Sequence, residues 1–140
     1  MTTSTLATPV ATDRTELAAL ILRVTNGVFF LAHAWLKIAI FTPAGTAGFF
    51  ESIGLPGFLA YLVIAAELFG GLTLIVGFKT RLVSLALVPV LLGAVFSAHW
   101  SAGFFFSNAG GGWEYPAYWA VALVVQALIG SGLYALDSRN

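Results

Sequence analysis

Four stretches of about twenty mostly apolar residues, at 17–41, 58–78, 82–100 and 118–136, occupy most of this chain, and each is long enough to cross the hydrocarbon core of a bilayer. Backbone N–H and C=O groups find no water partner at that depth, so each stretch is predicted to be a helix. The expected fold class is all-α, an integral membrane four-helix bundle in one domain covering residues 14–140. Composition agrees, because 59% of the 140 residues are hydrophobic and only 9% are charged, far from the balance of a soluble domain. The chain has no cysteine, which excludes disulfides, thiol chemistry and cysteine-ligated iron–sulfur or zinc sites. Any redox chemistry must therefore use a bound cofactor.

Residues 1–13 are rich in Thr and Ala, lack Lys and Arg, and read as a disordered tail. The apolar run that follows is too long for a signal peptide. Arg14, Lys79, Arg81 and Arg139 fall on one side of a four-span chain, and the positive-inside rule makes that side, with both termini, cytoplasmic. The opposite side carries Glu51 and Glu114 and an aromatic girdle of Trp100, Trp113, Tyr115, Tyr118 and Trp119. In the first outer loop Phe49, Phe50 and Ile53 recur at helical spacing before Gly54 and Pro56, which predicts a short interfacial helix over 46–53. The second outer loop joins Phe104, Phe105 and Phe106 to Gly110, Gly111 and Gly112, and either lies on the lipid surface or caps the bundle mouth.

No HExxH, Walker loop, GxSxG, Rossmann glycine pattern or CxxC occurs. Chemistry instead concentrates in a polar stripe on the first span. At 100° per residue Arg23, Asn26, Phe30, His33 and Lys37 project within roughly 80° of one another along about 21 Å of axis. Ionisable groups at membrane depth are costly and mark pathways or sites, so the stripe is expected to face the bundle interior. Glu67, mid-span on the second run, is the obvious acidic partner; His33 is the easiest contact by height, with Arg23 approaching from below. His99, Glu114 and Trp113 complete a polar cluster open to the outer face. Two histidines and a carboxylate suit zinc, copper or haem iron, but they come from different helices with no ligand spacing, so no metal is assigned.

Polar residues also act as glue between helices in lipid; Gln126 is assigned that role, and Arg23 and Lys37 could equally snorkel toward opposite interfaces. Ala66 with Gly70, Gly93 with Ser97, and Ala94 with Ala98 are spaced to let helices approach closely and permit self-association. Pro89 should kink the third span and open room inside.

In residue order the chain resembles the DoxX-like membrane proteins over residues 20–137. The resemblance rests on Arg23, Gly27, His33 and Lys37; on Phe50-Glu51-Ser52-Ile53-Gly54-Leu55-Pro56; on Glu67-Leu68-Phe69-Gly70-Gly71, Gly77 and Thr80-Arg81; and on His99, Gly103-Phe104-Phe105, Gly112-Trp113-Glu114 and Gly132-Leu133-Tyr134-Ala135-Leu136-Asp137. One departure is Ala34 after His33, where many members have glycine. The resemblance implies a bacterial cytoplasmic-membrane protein of four spans tied to respiratory-type redox chemistry; some relatives are the membrane subunit of a thiosulfate:quinone oxidoreductase.

The expected function is thus a membrane subunit that holds a quinone, not covalently bound, and works with an electron-donating partner subunit in the lipid bilayer. His33 or His99 would hydrogen-bond a carbonyl, Glu67 would shuttle protons, Lys37 would stabilise the anionic reduced form, and Arg23, Asn26, Trp113 and Glu114 would line the ligand. The alternatives are a non-enzymatic scaffold or assembly subunit and a small-solute transporter. Nothing points to nucleic acid.

Overall fold

The computed structural model describes residues 10–137, and side chains from Arg14 onward. Helix α1 runs over Val10–Trp35 and continues as a π-helical turn at Leu36–Ile40. Its first turn lies inside the tail expected over 1–13, while residues 1–9 fall outside the described residues. Helix α2, Pro43–Ser52, is the expected interfacial helix, started by Pro43 and capped by the Thr42 hydroxyl, which accepts from the Gly45 N–H at 3.1 Å. Helix α3 spans Phe58–Val76 and helix α4 spans Thr80–Gly93. Beyond Pro89, which lacks the N–H that would bond the Leu85 carbonyl, α geometry gives way to a π-helical turn at Ala94–His99 and a 3₁₀ turn at Trp100–Ala102. Helix α5 is Glu114–Ile129.

Packing runs α1 on α3, α3 on α4, α4 on α5, and α5 back on α1, with α2 laid on α3. Among the described residues the fold is all-helical, with three helices long and apolar enough to cross a membrane and α5 a shorter apolar one. At its centre lie Phe30, Leu74, Leu87, Leu91, Trp119 and Leu123, while Phe69, Leu82, Phe96 and Leu128 are exposed where lipid would lie.

Glycine sets the crossing of α1 and α3. A Cβ on Gly27 would lie 2.8 Å from the Gly71 carbonyl oxygen, and one on Gly71 would lie 2.9 Å from that of Gly27, so any larger residue forces the helices apart. Gly70 lies in the same way against Leu87 of α4. The close approach expected at Gly93 is not made: nothing lies within 4 Å of where its Cβ would stand.

The fourth span departs most from expectation. It begins at Glu114 rather than 118 and ends at Ile129, not 136. Gly130 and Gly132 take positive φ values of 89° and 71°, which turns the apolar residues 130–137 back beneath the bundle as irregular chain. There the Leu133 N–H donates to the Glu16 carbonyl at 3.3 Å, and the Leu136 and Asp137 N–H groups donate to the Val76 and Gly77 carbonyls at 3.0 and 2.8 Å.

Candidate functional site

The polar stripe does face inward, but its members have different partners at the two ends of the bundle. At the end marked by Arg14, Lys79 and Arg81, here the basic end, Arg23 is fully buried. Its Nη1 donates to the Leu74 and Ile75 carbonyls at 2.9 and 2.6 Å, Nε to Ser131 at 2.7 Å, and Nη2 to Leu133 at 2.9 Å. Leu74 and Ile75 belong to the last turn of α3, whose carbonyls lack a full set of helical partners and form the negative end of the helix dipole. Arg23 therefore fastens the returning C-terminal segment to α3, and it neither pairs with Glu67 nor lines a ligand cavity. Gln126 behaves as assigned, with Nε2 donating to the Ala19 and Gly130 carbonyls at 3.2 and 2.7 Å.

Mid-bundle, the Asn26 amide oxygen accepts from Trp119 Nε1 at 3.0 Å, with both residues buried. Asn26 thus orients an indole rather than a ligand. Phe30 and His33, one and two turns further along α1, also lie against that indole, at centroid distances of 4.4 and 5.2 Å.

Glu67 pairs with Lys37, not His33. Lys37 Nζ lies 2.9 Å from both carboxylate oxygens, and both residues are largely buried. Side chains on a helix point toward its N-terminus, so Lys37 reaches back on its long stem to the level of Glu67, while the short His33 is turned toward α5. The π-helical turn that carries Lys37 sets its direction, and no feature of the residue pattern announced that turn.

At the opposite, aromatic end a cavity of about 1030 Å³ opens between the bundle and the second loop. His33, His99, Trp113, Glu114, Tyr115 and Tyr118 are among its walls; Lys37 and Glu67 are not. His99 sits at the end of the second π-helical turn, with Nδ1 2.7 Å from the Gly111 carbonyl oxygen. That partner assigns the proton of the neutral ring to Nδ1 and leaves Nε2 as an acceptor. Glu114 opens α5, and its Oε1 accepts from the Phe106 N–H at 2.7 Å, which fixes the loop to the helix.

The loop folds as a cap rather than lying loose. Trp113 and Glu114 N–H groups donate to the Gly103 and Phe104 carbonyls at 3.0 Å each, and Trp113 stacks on Trp100 at 5.6 Å with Phe104 edge-on at 4.8 Å. Among the described residues no group of three His, Asp or Glu side chains is placed to hold a metal ion. Of the expected site residues, His33, His99, Trp113 and Glu114 border this space and Glu67, Lys37, Arg23 and Asn26 do not; Tyr115 and Tyr118, which read as girdle residues, join its walls.

Apolar helices around a buried polar stripe, with a mixed polar and aromatic cavity at one end, define a helical integral membrane protein with a ligand-sized chamber. The chain belongs to the DoxX family, whose sequence pattern it matches over residues 18–100. It is similar to the Bacillus subtilis (strain 168) protein named "Putative oxidoreductase CatD", at 37% identity over 87% of this chain and 86% of that protein. It is also similar to the Escherichia coli (strain K12) protein named "Inner membrane protein YqjF", at 34% identity over 60% of this chain and 63% of that protein. No solved structure matches it.

Proposed function

We propose that this DoxX protein is the quinone-binding membrane subunit of a redox system in the bacterial inner membrane, with the quinone ring held in the aromatic-end cavity. The observation that carries this reading is the cavity's lining: aromatic walls with His33, His99 and Glu114 converging on one space, the combination that a flat, mostly apolar ligand with two carbonyl oxygens requires. The word "oxidoreductase" in the printed name of the Bacillus relative supports the redox class, and the name of the Escherichia relative supports the membrane. A quinone, when bound, supplies reversible uptake of two electrons and two protons. This chain has no electron-carrying motif, so a partner subunit delivers the electrons.

The residues supply binding and proton handling. His99 Nδ1 is occupied by the Gly111 carbonyl, so Nε2 is the atom that accepts a ligand proton, and once protonated it donates one. His33, held against Trp119, presents a second imidazole from α1. Tyr115 and Tyr118 offer hydroxyls and apolar faces. Glu114 is the carboxyl among the cavity walls, which moves the proton-shuttle role from Glu67 to Glu114. With the basic end in the cytoplasm, the cavity opens toward the outer side.

The test is to purify the protein into lipid nanodiscs with native lipids and quantify extracted quinone per protein. Wild type is expected to retain quinone near one per chain. Ala117→Phe, which fills the cavity from α5, and His33→Ala should lower retention about tenfold with melting unchanged. Wild-type protein free of quinone would overturn the reading and favour the scaffold, whose support is the all-backbone bonding at the basic end.

A further inference from the structure

We infer that the ligand of the aromatic-end cavity is a single-tailed amphiphile whose apolar tail lies in a groove between α4 and α5, and that it enters from the bilayer rather than from water. The inference rests on the functional reading above and specifies the class and route of its ligand.

A second cavity, of about 500 Å³, lies along the α4–α5 seam. Trp113, Ala117 and Val121 line both it and the head cavity, so the two spaces adjoin, with the first two turns of α5 as their common wall. From there the groove follows the π-helical turn and then α4, from Trp100 back to Val88, about 18 Å at the α-helical rise of roughly 1.5 Å per residue. Its lining is apolar throughout, whereas the head cavity holds both histidines and Glu114. Leu92 and Val124, on facing sides, are 41% and 40% exposed, so the groove is open to lipid along its length.

The division of chemistry identifies the occupant. A water-soluble substrate has no use for an apolar channel leaving its site, and a phospholipid would place a phosphate among acceptors and a carboxylate. A head with hydrogen-bonding oxygens and one long hydrocarbon tail matches both parts. Burying the tail there adds little affinity, because lipid is equally apolar; the groove instead gives the tail a way out while the head sits in the cavity. The second π-helical turn supplies Val95 and Phe96 to the groove and His99 to the head cavity, and Trp113 stands between the two.

The experiment compares menadione, a naphthoquinone without a tail, with full-length menaquinone, loaded into nanodiscs holding wild type or the double variant Leu92→Trp, Val124→Trp. Both positions face lipid, so the indoles can be housed without disturbing the core, and a melting curve checks this. Expected is retention of both quinones by wild type, with about tenfold less menaquinone and unchanged menadione in the variant. Equal loss of both, or no loss of either, would overturn the tail groove while leaving the quinone site standing. Phospholipid retained in place of quinone and displaced by the variant would assign the groove to lipid and overturn the inference. Wild-type protein that holds neither quinone would overturn the functional reading and this inference together.

Discussion

The two ends of the bundle use their polar side chains in opposite ways: Arg23 and Gln126 at the basic end are fully buried, whereas His33, His99 and Glu114 at the aromatic end are only partly so. At the basic end the donors of Arg23 and Gln126 go to backbone carbonyls. Those bonds complete helix ends and an irregular segment that would otherwise carry orphaned groups in a dry interior. At the aromatic end the imidazoles and Glu114 surround a space. A buried polar residue whose partners are main-chain atoms is holding the fold together, whereas one that borders a cavity with capacity left over is available for chemistry. The Lys37–Glu67 pair stands between these cases, satisfied by another side chain and bordering no cavity.

The largest effect that sharpens this contrast is expected from Arg23→Ala, which takes the side-chain donor from four carbonyls and releases the C-terminal segment. It should lower stability by about 4 kcal/mol or more, seen as loss of folded protein in detergent or a collapse of the thermal melt. Arg23→Lys should recover only part, since a point charge cannot serve four acceptors in fork geometry. If Arg23→Ala melted like wild type, the basic end would not be the structural half.

Next comes the intermediate pair. Glu67→Gln leaves Lys37 without its anion and should cost about 2 kcal/mol, with the double variant Lys37→Met, Glu67→Met costing less than either single change. A double-mutant cycle on melting measures this coupling. Quinone retention should fall only with the amount of folded protein; a specific loss in Glu67→Gln would return Glu67 to the site.

At the aromatic end, His99→Ala should leave stability within about 1 kcal/mol while ligand retention falls, the reverse of the Arg23 pattern. The smallest effect concerns Asp137. The backbone N–H of Lys79 and then that of Thr80, which donates to Oδ2 at 3.1 Å, hold its carboxyl below the usual carboxylate range. Its stabilisation is complete above the unfolded value of about 3.9 and is lost as pH falls through the lower folded value. Wild type and Asp137→Asn should therefore differ in melting temperature at neutral pH and converge in acid. A gap independent of pH would show that Asp137 is not ionised in that contact.

Much of this architecture was legible in the residues, because length and apolarity alone decide which segments can span. The interfacial helix α2 follows from the spacing of Phe49, Phe50 and Ile53 before Gly54 and Pro56, although it starts three residues before the expected 46, at Pro43. The end of the fourth span was not legible: Leu133, Tyr134, Ala135 and Leu136 are as apolar as a helix interior, and only the backbone shows that Gly130 and Gly132 have already turned the chain. The inward stripe was readable from its period, yet its pairing was not, since that depends on the direction of Lys37 leaving a π-helical turn. His33, His99, Trp113 and Glu114 were brought together by counting which end of each span they occupy; Tyr115 and Tyr118 needed the folded cap.

The Arg23 clamp also bears on how such a chain is made. Its acceptors Ser131 and Leu133 lie 108 and 110 residues further along, so the first helix leaves the ribosome with a guanidinium that has no completed set of partners until residue 133 has been made. Residues 131–133 are then the latch that completes the partners of Arg23 on α1. A chain stalled or clipped before residue 131 would carry a first helix whose guanidinium lacks two of its four acceptors.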